Sequence, residues 1–381
     1  MKFIDLAKQN RKNPFYMCNF ARMKFTEQQI LNALSEVEDP DFKKDLVTLN
    51  MIKDLSFTDD EIKFTIELTT PACPLKEQLE NDCRNAIAQL VSNEVKVIID
   101  FSSRVTTLRD VKSDILPNVK NIVTVSSGKG GVGKSTVAVN LALALLRTGA
   151  KVGLIDADIY GPSVPTMLGL QGSRPSIQKV DDKNRIVPVD YLGMQVMSIG
   201  FLIQDKQPVA WRGPMATSAL RQIITDVLWE DLDYLVLDLP PGTGDIHLTL
   251  AQLVPVTGAV VVTTPQEVAL ADARKAIAFY QLESVKVPVL GVVENMSFFT
   301  PPELPNKKYY IFGKGGGRLL AQQFDVPFLG ELPIEQDIRE GGDFGKPIAL
   351  QTATTASKAF ELLAQSVAQQ IAMQNAKLEI I

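Results

Sequence analysis

Across residues 26–37 (TEQQILNALSEV), Ile30, Leu31, Leu34 and Val37 recur at helical spacing behind Thr26, a capping residue type, and the pattern predicts a helix. Two alternating stretches at 52–57 and 61–68 flank Thr58-Asp59-Asp60 and read as a β-hairpin. A loop at 69–75 leads into a helix over 76–92, and a strand at 95–100 closes a small α+β unit. Beyond Pro117 the rhythm changes. Continuous apolar runs at 122–125, 152–155, 234–237, 259–263 and 289–293 alternate with helical segments such as 135–147, which predicts a mostly parallel sheet covered on both faces, a doubly wound α/β domain. The expected organisation is a disordered extension over 1–23, the small α+β domain over 24–100, a linker over 101–119 and the α/β domain over 120–381. In its last part, 354–377, Leu362, Leu363, Val367 and Ile371 mark a packing helix.

Charge and cysteine usage narrow the function classes. The chain has 39 Lys plus Arg against 44 Asp plus Glu, a formal charge of -5, so it lacks the electrostatic footprint of a dedicated nucleic-acid binder. Cys18, Cys73 and Cys83 are too few and too scattered for a disulfide framework, which fits a reducing, cytoplasmic setting. The first residues carry scattered Lys and Arg without an apolar run, unlike a secretory signal. Apolar stretches fall far short of the roughly 20 residues that cross a bilayer, so neither membrane nor nucleic acid is expected as a partner.

The stretch Ser126-Ser127-Gly128-Lys129-Gly130-Gly131-Val132-Gly133-Lys134-Ser135-Thr136 follows an apolar strand and opens a helix, the context that the G-x-x-x-x-G-K-[ST] phosphate loop requires. Its glycines let backbone N–H groups approach phosphates, and the helix N-terminus adds its positive end. Lys134 is expected on the β- and γ-phosphates of ATP and the Ser135 hydroxyl on Mg²⁺. Lys129, the early second lysine, resembles that of the MinD/ParA class of P-loop ATPases. The resemblance implies that Lys129 reaches the partner's nucleotide across a homodimer interface. It also implies that the segment after Asp156-Ala157-Asp158 is switch I, with Asp158 positioning the attacking water and Asp156 near the Mg²⁺ shell. Asp238, ending a strand before Pro240-Pro241-Gly242-Thr243-Gly244-Asp245, is expected to hold Mg²⁺ through water, and Gly242 to sense the γ-phosphate. Asn295 can offer its amide to an adenine edge. His247 is the only histidine, so neither a histidine metal site nor a histidine triad can be built; Trp211 and Trp229 read as packing residues.

At 156–165, 240–245 and Ile311-Phe312-Gly313-Lys314-Gly315-Gly316-Gly317 the chain resembles the Mrp family of iron-sulfur cluster carrier ATPases, over nearly all of residues 24–350. The first unit, with its Thr70-Pro71-Ala72-Cys73-Pro74 loop, is similar to the cluster-assembly domain fused to that ATPase in bacteria. The resemblance implies an ATP-hydrolysing carrier that binds a cluster, of 4Fe-4S type and held transiently, and passes it to apoproteins alongside other assembly factors. The chain departs from the pattern where family members carry a Cys-x-x-Cys pair after Glu-Asn-Met-Ser: it reads Ser297-Phe298-Phe299-Thr300-Pro301-Pro302-Glu303-Leu304-Pro305 there. That leaves Cys73, before a helix, as the candidate cluster ligand, with Cys83 an ordinary thiol. Gly313–Gly317 lacks the Lys-Ser/Thr ending and reads as a mobile surface loop. Two other functions remain open: an ATP-dependent positioning or partitioning switch of the MinD/ParA type, and an ATP-driven clamp that assists cluster assembly without holding a cluster.

Overall fold

In the computed structural model the described residues are 24–107, 115–180, 182–202 and 213–378; the expected extension at 1–23 and Trp211 lie outside them. The chain divides into two compact units. One comprises the described residues up to Ile66 with Glu77–Phe101, and the other comprises Glu67–Lys76 with Ser102 onward.

The smaller unit opens with α1 (Glu27–Leu34). Thr26 caps it reciprocally: its hydroxyl accepts from Gln29 N and the Gln29 side chain accepts from Thr26 N, which is why the helix starts there. Two short paired strands, β1 (Glu38–Asp39) and β2 (Lys44–Asp45), precede the hairpin of β3 (Ile52–Phe57) and β4 (Glu61–Leu68). Alternate residues Ile62, Phe64 and Ile66 of β4 are buried, as a half-covered antiparallel strand requires. The hairpin register shifts between Lys53 and Ser56, where Asp54 adopts φ 52°. Helix α2 (Lys76–Leu90) buries Leu79, Cys83 and Ile87, and β5 (Lys96–Ser103) completes the sheet in the order β3-β4-β5.

In the larger unit the elements begin with β6 (Val119–Ser126), α3 (Lys134–Arg147), β7 (Val152–Asp156) and α4 (Val164–Met167). A polar hairpin, β8 (Ser176–Val180) with β9 (Lys183–Val187), precedes β10 (Val189–Tyr191) and β11 (Met194–Ser198). Then come α5 (Gly213–Thr225), β12 (Leu232–Asp238), α6 (Asp245–Leu253), β13 (Gly258–Thr263), α7 (Glu267–Gln281) and β14 (Val289–Glu294). The unit ends with α8 (Gly316–Gln323), β15 (Phe328–Glu331), α9 (Gln336–Asp343) and α10 (Thr355–Leu378). One eight-stranded sheet runs β10-β11-β7-β12-β6-β13-β14-β15, parallel except for the antiparallel edge strand β10. Strands β6, β7, β12 and β13 are buried almost throughout, which explains their unbroken apolar runs. From β6 the chain moves outward to β7 and β11, returns through β12, and crosses to β13 and β14. The carboxyl ends of β6 and β12 therefore lie where the winding reverses, the position at which open α/β sheets bind ligands.

Helix α3 is buried over nearly its whole length and α10 packs against it. On α10, Leu363, Val367 and Ile371 are buried as the periodicity predicts, whereas Leu362 is 61% exposed because it sits about 100° round the helix from Leu363. Trp229 is buried in the core. The Cys73 loop belongs by compactness to this larger unit: Ala72 joins its hydrophobic core, and the buried Thr70 hydroxyl hydrogen-bonds the Tyr234 hydroxyl at 3.1 Å.

Candidate functional site

The loop after β6 is shaped by neighbours that admit only glycine. A Cβ at Gly128 would lie 2.1 Å from the Asp272 carbonyl carbon in α7, and one at Gly133 would lie 2.2 Å from Asn295 Nδ2. Gly131 and Gly133 both take left-handed φ values, 83° and 82°, and Gly133 caps α3. The loop is held from three sides. Ser127 Oγ donates to Lys129 O at 2.9 Å, Gly242 N donates to Ser127 O at 2.8 Å, and Asn295 Nδ2 donates to Val132 O at 2.8 Å. Asn295, expected to face an adenine, thus spends this amide hydrogen bond on fixing the loop. The Lys129 backbone helps to fix the loop, while its residue is exposed; Gly130 is exposed as well.

Parallel register brings the carboxylates together. Asp238 at the end of β12 pairs with Asp156 at the end of β7 on one side and with Val125 of β6 on the other. From the first turn of α3, Lys134 Nζ reaches Asp238 Oδ1 at 2.6 Å, Ser135 Oγ at 3.1 Å and Asp158 Oδ2 at 3.6 Å. Lys134, Asp158 and Asp238 are 7%, 13% and 0% exposed, so these charges act on one another with little screening by water. Thr136 follows on α3 and is half-buried, its carbonyl accepting from Asn140.

Asp156, expected near the Mg²⁺ shell, is wholly buried and its oxygens accept from protein donors. Its Oδ1 accepts from Asp158 N, and its Oδ2 accepts from Val164 N at 3.1 Å and Ser198 Oγ at 3.0 Å. Both oxygens are engaged in pinning the 157–164 segment to the sheet. Burial and the neighbouring Asp238 charge raise its carboxyl to about 7, against the pull of these donors. Burial also pushes Asp238 upward, opposed by the Lys134 ammonium.

One oxygen is left over. Asp238 Oδ2 is buried with no hydrogen-bond partner in the protein. A hard anionic oxygen next to a serine hydroxyl is what Mg²⁺ takes when phosphate oxygens complete its shell, so Asp238 and Ser135 fit that ion. Among the described residues no group of three or more His, Cys, Asp or Glu could hold a metal without such help. A cavity of about 600 Å³ lies at the opposite, amino ends of β6 and β12 and includes none of these residues.

Three features escaped the sequence reading. Ser198 supports Asp156 from β11, a strand with no clear signal of its own. His247 is 3% exposed in α6 after Gly242–Gly244, and burial lowers its pKa to about 4. The Gly313–Gly317 stretch is anchored: Gly315 (φ 72°) caps α8, and Gly317 N donates to the buried Glu294 Oε2 at 2.6 Å. Cβ atoms at Gly316 and Gly317 would strike Leu270 and Glu294. Glycine, read there as mobility, serves close packing.

The two described cysteines differ. Cys73 is partly exposed in the loop before α2, whereas Cys83 is fully buried and burial pushes its thiol up to about 12. The segment after β14 carries no thiol and is folded by backbone pairing of Phe299 with Tyr309 and Ile334.

Among the described residues no helix is long and apolar enough to cross a membrane. Residues 118–368 match the family described as NUBPL iron-transfer P-loop NTPase, and residues 27–98 match the one described as iron-sulfur cluster assembly protein. An iron-sulfur cluster carrier protein of Synechocystis sp. is 49% identical over 352 residues, 91% of this chain and 98% of its own length. A chloroplastic Fe-S cluster assembly factor of Arabidopsis thaliana is 42% identical over 354 residues, 91% of this chain and 64% of its own. The nucleotide-binding protein of Archaeoglobus fulgidus, solved in complex with ADP, is 39% identical with a TM-score of 0.53, covering 61% of this chain and 89% of that one. The resemblance read from the phosphate loop and the cluster-carrier motifs therefore holds along the chain, which belongs to the NUBPL-type family of iron-transfer P-loop NTPases.

Proposed function

We propose that this protein is an ATP-hydrolysing iron-sulfur cluster carrier that works as a homodimer and delivers clusters to apoproteins. The observation that carries the nucleotide half is the buried contact of Lys134 with Asp238, beside Ser135 and Asp158, at the mouth of a glycine-built loop. The carboxylate holds the ammonium at 2.6 Å beside the loop until phosphate oxygens replace it as the partner. In the reaction, water attacks the γ-phosphorus in line, the bond to the ADP oxygen breaks, and charge spreads over the equatorial oxygens. Lys134 and the loop amides neutralise that charge, Asp158 orients the water, and Lys129 acts on the nucleotide of the other protomer. Ser135 and Asp238 would hold Mg²⁺, which would supply further charge neutralisation to the phosphates. Gly242, tied by its N–H to Ser127 O, couples phosphate occupancy to the loop that runs into α6.

The cargo half rests on the family, whose named relatives are cluster carriers and assembly factors. A 4Fe-4S cluster needs four ligands. Cys73 is the one partly exposed thiol among the described residues, and a homodimer supplies two of them. The setting is the cytoplasm, and the partners are iron-sulfur apoproteins and assembly factors. The absence of cysteine between Ser297 and Pro305 favours a second reading, in which ATP turnover clamps a partner while the cluster stays elsewhere.

Anaerobic reconstitution with iron and sulfide, followed by iron and labile-sulfide counts and transfer to an apo-ferredoxin, separates the two. A cluster present on the unmodified chain and lost in Cys73→Ser supports carriage. No cluster on either, with hydrolysis intact, rules out carriage and leaves the clamp.

A further inference from the structure

The segment after β14 uses positions that the cluster-carrier pattern gives to cysteine for something else. Phe299 and Tyr309 exchange both backbone hydrogen bonds, at 2.8 Å each, and Ile334 N donates to Phe298 O at 2.7 Å, so the excursion between them is pinned to the fold at its base. Beyond that base everything from 302 to 311 is exposed, including Leu304 at 49% and Ile311 at 59%.

Its cations are laid over its aromatic rings. Lys308 Nζ sits 3.6 Å from the centroid of Phe298, Lys314 Nζ 4.8 Å from that of Tyr310, and Lys307 Nζ 5.1 Å from that of Tyr309. None of the three ammonium groups has a salt-bridge partner among the described residues, although the chain as a whole is acidic at -5. Arg318 lies over Phe328 at 4.3 Å and pairs with Glu331 at 3.9 Å, and Glu303 is the one carboxylate within the exposed 302–311 stretch.

We propose that this face, built from Lys307, Lys308 and Lys314 on their aromatic supports, is the docking surface for an acidic polypeptide, namely the apoprotein that receives the cluster. The identity of that partner rests on the carrier reading given above; the chemistry of the surface does not. Each lysine is held by a ring, so its side chain loses less freedom when a carboxylate arrives than a free surface lysine would. Exposed Leu304 and Ile311 add apolar area in the same segment.

Two other occupants fit less well. Single-stranded nucleic acid uses aromatic faces for base stacking, and here one face of each ring is covered by an ammonium, on a chain whose total charge repels phosphates. A second copy meeting this face about a two-fold axis would set the same lysines against each other, which is unfavourable.

The test compares the full-length chain with two triple variants of equal net charge: Lys307→Glu/Lys308→Glu/Lys314→Glu on the face, and Lys179→Glu/Lys183→Glu/Lys286→Glu on exposed positions elsewhere. Binding of a labelled Glu-Gly repeat peptide, and of an apo-ferredoxin, is followed by anisotropy at two salt concentrations. The expected result is a loss of roughly tenfold or more in affinity for the face variant, little change for the control, and weaker binding at higher salt. Equal losses in both variants would overturn the proposal, since total charge alone would explain them. So would binding of a single-stranded oligonucleotide in preference to the peptide, or a loss of dimer in sedimentation without a change in peptide affinity. Glutamine at the same three positions repeats the test without charge reversal. Cluster counts on the same preparations keep the two questions apart. A chain that binds the peptide through this face and never holds a cluster keeps the surface and loses the carrier reading. A face variant that holds its cluster but binds the peptide as before does the reverse.

Discussion

The carboxyl ends of β6 and β12 and the segment following β14 both follow strands of one sheet, and they treat charge in opposite ways. In the first, Lys134, Asp156 and Asp238 are 7% exposed or less and bonded to one another or to neighbouring donors, with Asp238 Oδ2 left unpartnered. In the second, Lys307, Lys308 and Lys314 stand in solvent, supported only by aromatic rings. The difference follows from what each set of charges has to do. Charges that act on a transferring phosphoryl group work best dry and fixed, at the expense of stability if one is removed. Charges that meet a macromolecule must stay hydrated until it arrives, so each contributes little to the fold.

The sharpest way to break that comparison is to delete a cation from each place. Lys134→Ala is expected to lower ATP hydrolysis by about 10²–10³-fold. It also leaves Asp238 charged and unpaired in the interior, a loss of ~3–5 kcal/mol that thermal unfolding would register. Lys308→Ala gives up one cation–π contact of about 0.5–1 kcal/mol and leaves hydrolysis unchanged. Equal unfolding midpoints for the two variants would show that the buried pair is not a coupled unit.

Gly128→Ala comes next. Its Cβ would meet the backbone of Asp272 and Ala273 at 2.1–2.6 Å, and a helix backbone cannot step aside as a side chain can. Overpacking of this kind costs about 3 kcal/mol. Gly131→Ala, with open space around it but φ at 83°, should cost about 1 kcal/mol. If urea denaturation ranked them the other way, conformational strain rather than the approach of α7 would be what fixes glycine in the loop.

A third test concerns Asp156. Its folded pKa, raised to about 7 by burial and by Asp238, lies above the unfolded value of 3.8, so the folded chain binds the proton more tightly. This group therefore favours folding at low pH, and its contribution is lost as pH rises from about 4 to about 7. Unfolding free energies measured across that window should show a falling contribution on the order of 4 kcal/mol. Asp156→Asn should flatten it, and an unchanged slope in that variant would mean that another group titrates there.

Much of the frame of this site was legible in the sequence. Strands β6, β12, β13 and β14 announce themselves because both faces of a parallel sheet are buried, and the phosphate loop announces itself because glycine at fixed spacing has few other uses. Strands β8 to β11 do not: β8 exposes most of its residues, β9 is polar at its start, β10 has three residues, and β11 is fixed by its pairing with β7 and β10. The second layer of the site is equally silent. Nothing in the spacing of Asp156 and Ser198 shows that they touch, because the contact depends on the register of β11 against β7. The Asn295 amide on Val132 and the Gly317 amide on Glu294 are set by the same kind of long-range placement. Sequence motifs give the groups that meet the ligand, and tertiary register decides which groups hold them.

The smallest effect distinguishes the thiols. Cys83 is fully buried and its thiol sits at about 12, above the ordinary 9.0, because burial and the Asp82 charge disfavour the thiolate. The folded chain then binds this proton more tightly than the unfolded one, so the stability it contributes is intact below pH 9 and declines between about 9 and 12. Cys83→Ala should cost about 1 kcal/mol and leave any bound iron untouched. Cys73, partly exposed in the loop before α2, should be alkylated by iodoacetamide before Cys83 when the native chain is followed by mass spectrometry. A bound cluster should protect it selectively, since a thiolate ligated to iron is no longer a nucleophile. Protection of Cys83 instead, or alkylation of Cys73 at the same rate with and without reconstituted iron, would remove Cys73 from the ligand set and shift the weight to the clamp.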